Sequence, residues 1–237
     1  MIKVVAINGS AKMEKGNTAL VLAPFIDGMK KAGASVELFY AKRLNVKPCT
    51  AEFYCWNKKP GQCHIDDNMQ MLYPKLRRAG ILVLATPVYI PLPGEMQNLI
   101  NRLCPLFEPI LEFREGRTRA RFHAGVNIRK IVLASTCGWW EMGNFGTVLR
   151  IAEEFAKDVN AEFAGAVLRP HAYLMRGNGE KVKNVTDALR QVGYELVRKG
   201  RMPKKLLEVT GQPLISEEEY RRSLNDDYEK VKNKEKS

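Results

Sequence analysis

The stretch that decides the fold is Lys3-Val4-Val5-Ala6-Ile7-Asn8-Gly9-Ser10-Ala11-Lys12-Met13-Glu14-Lys15-Gly16-Asn17-Thr18. Residues 2–7 are mostly apolar and rich in β-branched side chains, in a run too short for a helix and typical of a buried parallel strand. After the loop, residues 18–32 carry apolar side chains at helical spacing, from Leu22 to Met29. A strand that passes through a loop into a helix predicts the first unit of an α/β fold.

The same alternation continues along the chain. Further strands are predicted at residues 35–40, 81–86, 131–135 and 162–168, and further helices at 66–78, 94–107, 145–159 and 181–198. Repeated strand–helix pairs build a parallel sheet with right-handed crossovers. Five pairs rather than eight favour an open, doubly wound five-stranded sheet with helices on both faces over a closed barrel.

Length and composition limit the other possibilities. The chain has 237 residues, 45% hydrophobic content and a formal net charge of +12, which is typical of a globular protein rather than a disordered one. Its longest uncharged run, residues 79–94, contains three prolines and is shorter than the roughly 20 residues that a membrane span needs. We therefore expect no membrane association. The first residues show no signal-peptide pattern, so we expect a cytoplasmic protein.

One domain accounts for most of the chain. We predict a domain over residues 1–203, with a cysteine loop inserted at 47–65 and a basic arm at 108–130, and a charged C-terminal tail over 204–237. Between Arg114 and Lys130 six basic side chains accompany a single acid, Glu115. No nucleic-acid-binding motif accompanies them, so a phosphorylated nucleotide or a neighbouring subunit is the expected partner rather than a nucleic acid.

The first loop combines glycines, hydroxyl and amide side chains with a helix N-terminus, which is the composition of a phosphate cradle. It lacks the closing Gly-Lys-Ser/Thr of a Walker A loop and the Gly-x-Gly-x-x-Gly of a dinucleotide domain. A plain strand-to-helix turn, with Asn17 or Thr18 as the helix cap, would carry the same residues. Spacing alone leaves both interpretations open.

Three further segments decide between them. They are Thr86-Pro87-Val88-Tyr89 after the third strand, Ser135-Thr136-Cys137-Gly138 after the fourth, and the cysteines near residue 50. Together with the first loop, they resemble the flavodoxin-like NAD(P)H-dependent FMN reductases, close to the iron–sulfur flavoprotein branch. The resemblance implies strand order 2-1-3-4-5 and an FMN site, in a homodimer or homotetramer.

The resemblance also assigns candidate cofactor-binding residues. In the first loop Ser10, Asn17 and Thr18 would bind the FMN phosphate, with Ala11 and Lys12 lying along it. The other two loops would line the flavin, through Pro87, Val88, Tyr89, Ile90, Thr136, Cys137, Gly138 and Trp139. No side chain is predicted to be catalytic, because hydride transfer at flavin N5 is the chemistry of the cofactor.

The implied activity is an FMN-dependent oxidoreductase that passes reducing equivalents from NADH or NADPH to a quinone, a flavin or another small acceptor. The alternative is an iron–sulfur flavoprotein or a flavodoxin-like electron carrier that acts with redox partner proteins. Its net charge of +12 argues against a close copy of the typically acidic flavodoxins.

The cysteine loop is the open point. Cys49, Cys55 and Cys63 fall on three positions of the four-cysteine motif of the iron–sulfur branch, and Glu52 takes the fourth. A carboxylate is a harder ligand than a thiolate and suits an iron–sulfur cluster poorly. A cluster, a zinc site completed by His64 or Glu52, and no metal at all remain possible on this pattern, and we favour no metal.

Overall fold

The computed structural model describes residues 1–234. Seven strands form, namely β1 (Lys3–Asn8), β2 (Ser35–Tyr40), β3 (Ile81–Pro87), β4 (Phe107–Arg114), β5 (Arg117–Phe122), β6 (Lys130–Thr136) and β7 (Glu162–Arg169). The longer helices are α1 (Asn17–Lys31), α4 (Met69–Arg78), α5 (Gly94–Asn101), α6 (Gly146–Asp158), α7 (Glu180–Lys199), α8 (Lys204–Gly211) and α9 (Glu217–Lys234). Two single-turn helices, α2 (Ala41–Leu44) and α3 (Tyr54–Asn57), lie between β2 and α4.

Five of the strands form one parallel sheet in the order β2-β1-β3-β6-β7. Numbered within that sheet alone, the order is 2-1-3-4-5, as predicted. The observed strands match the five predicted ones to within two residues at each end. The prediction of an α/β fold with a five-stranded parallel sheet is therefore confirmed.

Two large apolar clusters cover the sheet, and β1 shows how they divide. Val5 and Ile7 belong to one cluster with side chains of α4, α5 and α6, whereas Val4 and Ala6 belong to the other with side chains of α1 and α7. Alternate residues of a strand point to opposite faces, so helices pack against both faces. Each fully buried aliphatic or aromatic side chain contributes about 1.5–3 kcal/mol to this core.

The basic arm predicted at 108–130 is largely an antiparallel hairpin, which the sequence reading missed. The helix expected to reach Phe107 ends at Asn101 and a short turn, Cys104–Leu106, follows it; Pro105 lacks the amide hydrogen that an α-helix would use there. Strands β4 and β5 then pair around Glu115 and Gly116, which both have positive φ. Such a two-residue turn matches the twist of a hairpin.

The arginines of this hairpin form ion pairs with acidic residues that the charge count over residues 114–130 did not include. Arg121 contacts Glu108 (2.5 Å) and Glu112 (2.7 Å) within the hairpin, and Arg119 contacts Asp158 of α6 (2.7 Å). Arg119 is 5% exposed. The hairpin is thus fastened to the domain by ion pairs, and much of the charge counted along the sequence is paired within the fold.

Beyond residue 203 the chain forms α8 and α9 rather than an extended tail. Thr210, Leu214 and Tyr220 are buried, so this segment packs on the domain; residues 235–237 of the predicted tail lie outside the described residues. Among helices of the described part of the chain, none combines the length and apolar character of a membrane span.

Candidate functional site

The carboxyl ends of β1, β3 and β6 meet at one edge of the sheet, and the three predicted loops leave from there. In an open α/β sheet this edge is the ligand-binding edge. A cavity of about 240 Å³ lies among the loops. Its lining consists of Ser10, Lys12, Gly16, Asn17, Thr18, Pro87, Val88, Tyr89, Thr136, Cys137, Gly138 and Ala172.

The first loop is tightly folded on itself. Asn8 Oδ1 accepts a hydrogen bond from the Ser10 amide (2.9 Å), and Ser10 Oγ accepts one from the Lys12 amide (3.3 Å). A Cβ added at Gly16 would overlap Ser10 Oγ, so a larger residue here would displace the Ser10 hydroxyl. Most of the loop amides are thus bonded within the loop, and the Ser10 hydroxyl lies beside Gly16, just before the start of α1.

Helix α1 begins at Asn17 with Gly16 as its N-cap, and no side chain caps it. The first turn of a helix has amide hydrogens without intrahelical partners and carries the positive end of the helix dipole. The plain-turn interpretation, in which Asn17 or Thr18 caps the helix, does not describe this geometry. An uncapped helix N-terminus inside a cavity is a site for an anion.

Hydrogen bonds join the three loops to one another. Thr18 Oγ1 and Thr136 Oγ1 lie 2.9 Å apart, and both threonines are buried. Val88 donates its amide hydrogen to Thr136 O (2.8 Å), and Ser135 Oγ donates to Thr86 O (2.9 Å). These hydrogen bonds fix the three loops relative to one another.

Arg176 and Ala172 belong to the site and were not predicted from the sequence. Arg176 Nη2 donates to Lys15 O (2.7 Å) and to Asn17 Oδ1 (3.1 Å), which brings a guanidinium to the mouth of the first loop. Ala172 lines the cavity. Neither residue lies in a recognisable motif. The only sequence feature that could have pointed to them is their position shortly after the last strand of the sheet.

We expect the variant Arg176→Gln to weaken binding of FMN by about three- to tenfold, a free-energy change of about 1 kcal/mol. The reason is loss of a cation beside the predicted phosphate cradle, and screening by salt should shrink the effect. Fluorescence titration at low and high salt measures it. Arg198→Gln on the exposed last turn of α7 is the control, and equal affinities of the two variants would contradict the role of Arg176.

Three predicted residues lie outside the cavity lining. They are Ala11, Ile90 and Trp139, of which Ile90 and Trp139 are strongly exposed. The neighbouring Trp140 stacks on His171, with ring centroids 6.2 Å apart. The assignment of cofactor-binding residues stays a prediction, and the structure brings ten of its members together around one cavity.

The segment Thr210–Tyr220, here called the C-terminal strap, holds the third loop from outside. Buried Arg169 donates to Thr210 O (2.9 Å) and Gln212 O (2.8 Å). Trp140 Nε1 donates to Ile215 O (3.3 Å), and the Tyr220 hydroxyl donates to Gly138 O. The predicted tail therefore supports the loop that carries Thr136, Cys137 and Gly138.

His171 links the same elements as a neutral side chain. Its Nε2 accepts a hydrogen bond from the Leu214 amide (3.2 Å) and lies 2.8 Å from Arg169 Nη2. Burial and the nearby Arg169 charge lower the pKa of His171 to about 4. An acceptor role at Nε2 requires this neutral form, so His171 is structural here.

We expect the variant Tyr220→Phe to lose about 1 kcal/mol of unfolding free energy, the usual net contribution of one hydrogen bond. Because Gly138 O then loses its donor, the third loop should loosen and FMN should bind a few-fold more weakly. Chemical denaturation and FMN titration measure the two effects. Tyr228→Phe, at an exposed position of α9, is the control; if both variants behave as the wild type, the strap does not support the site.

The cysteine loop lies apart from these three loops and packs on the turn Cys104–Leu106 through α3. Arg77 Nη2 donates to Gly61 O (2.7 Å) and to Pro105 O (3.2 Å), which joins the loop to that turn. Buried Arg102 donates to Lys47 O (2.8 Å) and forms an ion pair with Asp67 (2.7 Å). These contacts hold the loop at both of its ends.

Cys104 begins the turn against which α3, the helix that holds Cys55, packs. Its thiol hydrogen-bonds Cys55, which lowers the pKa of Cys55 to about 7, and the same bond and burial raise the pKa of Cys104. All five cysteines are reduced. Across residues 1–234, no three cysteine, histidine or acidic side chains are grouped in a way that would hold a metal ion.

Comparison with known proteins identifies the family. The model of the NADPH-dependent FMN reductase family matches residues 2–126, more than half of the chain. The chain therefore belongs to the NADPH-dependent FMN reductase family, and the resemblance stated from its motifs is confirmed.

The curated relatives are iron–sulfur flavoproteins. One from Archaeoglobus fulgidus is 31% identical over 102 residues, which is 43% of this chain and 48% of the relative. Another, from Methanocaldococcus jannaschii, is 32% identical over 102 residues, 43% of this chain and 50% of the relative. The chain spans about half the length of the curated relatives that it matches.

Solved structures share the fold over a longer range. An NAD(P)H:quinone oxidoreductase from Methanothermobacter marburgensis aligns with a TM-score of 0.56 at 14% identity, covering 82% of this chain and 96% of the other. An FMN-dependent NADH-azoreductase from Bacillus anthracis, solved in complex with FMN, aligns with a TM-score of 0.57 at 12% identity, covering 83% and 100%. At these identities the likeness shows the fold alone.

Proposed function

We propose that this protein is an FMN-dependent oxidoreductase that takes a hydride from NADH or NADPH and passes reducing equivalents to a quinone, a flavin or another small acceptor. The observation that carries the proposal is the cavity at the sheet edge, where three hydrogen-bonded loops and the uncapped start of α1 converge. Membership in the reductase family supports it.

The described residues fit the FMN phosphate. The Ser10 and Thr18 hydroxyls, the Asn17 amide and the free amide hydrogens of α1 offer donors at one end of the cavity. Lys12 lines the same end and Arg176 contacts Asn17. Charge-assisted hydrogen bonds of this kind contribute about 1.5–3 kcal/mol each, so the phosphate should be the main anchor.

The other end of the cavity suits the flavin ring. Pro87, Val88 and Tyr89 form one wall, and Cys137 with Gly138 forms another. When bound, FMN supplies the hydride chemistry, while these residues orient it and exclude water from one side. Burial raises the pKa of the Cys137 thiol, which keeps a negative charge away from the ring.

An iron–sulfur cluster, which the names of the curated relatives suggest, does not fit the loop as folded. Glu52 stands at the fourth ligand position and lies 3.3 Å from His64. A hydrogen bond from Thr50 is the main cause that lowers the pKa of Glu52, so its carboxylate is engaged within the loop. We assign no step of the reaction to a cluster or to zinc.

Four further expectations belong to the proposal. The doubly wound chain path is supported by the two apolar clusters on opposite faces of the sheet. The domain boundary at residue 203, the homodimer or homotetramer and the cytoplasmic location stay predictions. The choice between NADH and NADPH is left to measurement.

The phosphate cradle is tested by comparing FMN with riboflavin, which lacks only the phosphate. Titration of the flavin-free chain by fluorescence should give an affinity for FMN about 100-fold higher or more, since two charge-assisted hydrogen bonds already contribute that much. Equal affinity for the two flavins would refute the cradle, and failure to bind either would refute the proposed function.

A further inference from the structure

We propose that a second cavity, between the third loop and α9, binds a planar aromatic cation such as an N-alkylated nitrogen heterocycle. This cavity adjoins the one that we propose for FMN but has its own lining. The proposal therefore does not rest on flavin binding.

The second cavity shares the third loop with the cavity among the three loops. Cys137 and Gly138 line the cavity among the three loops. The next residues of the chain, Trp139, Trp140 and Glu141, line the second one. Helix α9 supplies the remaining wall, through Glu217, Tyr220, Arg221, Leu224 and Asn225. The volume is about 230 Å³, and since drug-sized ligands occupy pockets of about 300 Å³ or more, a compound of one or two fused rings suits it.

Three aromatic side chains form the main apolar part of the wall. Trp139 is 62% exposed, whereas Tyr220 is buried. The Trp140 indole is stacked on the His171 ring on one side, and its Nε1 donates to Ile215 O (3.3 Å). Aromatic rings stack on other planar rings and attract organic cations through their negative faces. The wall is therefore suited to a flat, positively charged ligand.

Hydrogen bonds hold the main chain of this wall. The Trp139 amide donates to Cys137 Sγ (3.2 Å), and Trp139 O accepts a hydrogen bond from the His171 amide (2.8 Å). The Tyr220 hydroxyl donates to Gly138 O, which joins α9 to the loop. A wall that is held in this way loses little conformational freedom when a ligand binds.

The charges that line the cavity favour a cation. Arg221 is paired with Glu217 (2.6 Å). In the described part of the chain no basic side chain forms an ion pair with Glu141, whose Oε2 accepts only a long hydrogen bond from Asn144 Nδ2 (3.3 Å). The lining thus carries a net negative charge, on a chain whose net charge is +12. Such a local field attracts cations and repels phosphates and carboxylates.

The shape of the cation follows from the same two features. A compact ammonium ion is strongly hydrated, whereas a planar, delocalised cation is more weakly hydrated and stacks on aromatic rings, as a guanidinium does. Only the planar cation therefore uses both the Trp139 and Trp140 rings and the Glu141 carboxylate. We assign the cavity to cations of this shape.

The test uses three probes that have the same two fused rings and differ in charge. They are N-methylquinolinium, a cation, quinoline, which is neutral at neutral pH, and quinoline-2-carboxylate, an anion. Isothermal titration calorimetry of the full chain, with and without FMN, should show that N-methylquinolinium binds at least about tenfold more tightly than the carboxylate, because stacking and charge act together. Added salt should narrow this difference.

Two variants assign the binding to this cavity. Glu141→Gln should reduce the preference for the cation by about three- to fivefold and leave quinoline binding unchanged. Trp139→Ala should weaken N-methylquinolinium binding by about fivefold or more. Both side chains are exposed, so the variants should fold, which circular dichroism checks. Glu208→Gln, exposed on α8, and Tyr89→Ala, at the cavity among the three loops, should bind the cation as the wild type does.

Three results would overturn the proposal. The first is the absence of saturable N-methylquinolinium binding. The second is equal or tighter binding of the carboxylate, which would mean that Arg221 determines the preferred charge. The third is binding that Tyr89→Ala weakens and that Glu141→Gln and Trp139→Ala do not, which would move the ligand to the other cavity. None of these measurements requires flavin reduction, so failure here is distinguishable from failure of the proposed function.

Discussion

The variant Asn17→Asp should bind FMN at least about 100-fold more weakly than the wild type while remaining as stable. Asn17 is the first residue of α1 and lines the cavity, at the place where we propose that the FMN phosphate binds. A carboxylate there would repel the phosphate by about 4 kcal/mol at a separation of 4 Å and an effective dielectric constant near 20. It would also pair with Arg176, which now contacts Asn17 Oδ1, and so remove that cation from the cradle.

Stability separates this prediction from simple misfolding. A negative charge in the first turn of a helix is stabilising by about 0.3–1 kcal/mol, so thermal unfolding of the flavin-free variant should occur at the wild-type temperature or above. Asn184→Asp, the same change at an exposed position early in α7, is the control. If Asn17→Asp binds FMN as the control does, the phosphate does not lie at the start of α1.

The variant Gly193→Ala should lower the unfolding free energy by about 2–3 kcal/mol or more, within or above the usual range for overpacking. Helices α1 and α7 cross in close contact, and a Cβ at Gly193 would overlap the Phe25 carbonyl. A Cβ at Gly28 would likewise overlap the Arg190 carbonyl. Alanine is intrinsically favoured over glycine in a helix by about 1 kcal/mol, but the obstacle here is backbone, which cannot rotate away.

Gly146→Ala provides the matched control for this helix contact. Gly146 begins α6, and a Cβ there meets open space, so stability should be unchanged or slightly higher. Urea unfolding of the three proteins measures the difference. If Gly193→Ala unfolds at the same urea concentration as the wild type, then α1 and α7 do not lie as close together as described. Because α1 starts at the phosphate cradle, weaker FMN binding should accompany the loss of stability.

The sheet was predictable because its signals are local. Each strand is an apolar run, such as β1 with Val4, and each following helix has a regular apolar face, such as the face of α1 that includes Met29. The three loops were predictable because their hydroxyls and glycines occur together in short motifs. The position of Arg176 was not predictable, because an isolated arginine after a strand resembles any surface cation. Only in the folded chain does it contact Asn17 Oδ1.

The basic hairpin and the cysteines show a second limit. Counting charges between Arg114 and Lys130 omitted Glu108 and Asp158, which neutralise Arg121 and Arg119 only once β4, β5 and α6 are in place. In the same way, 49 positions separate Cys55 from Cys104 in the sequence, although α3 packs against the turn that begins at Cys104. Pairings between distant residues are set by tertiary packing, which local patterns do not encode.

The proposed function requires that the three loops hold an FMN that accepts a hydride from a nicotinamide nucleotide. Anaerobic stopped-flow mixing of the FMN-loaded chain with NADH or NADPH measures this transfer. We expect rapid bleaching of the flavin absorbance by at least one of the two nucleotides, without any partner protein. A flavin that stays oxidised with both nucleotides and is reduced only through a protein partner would contradict it and favour an electron carrier.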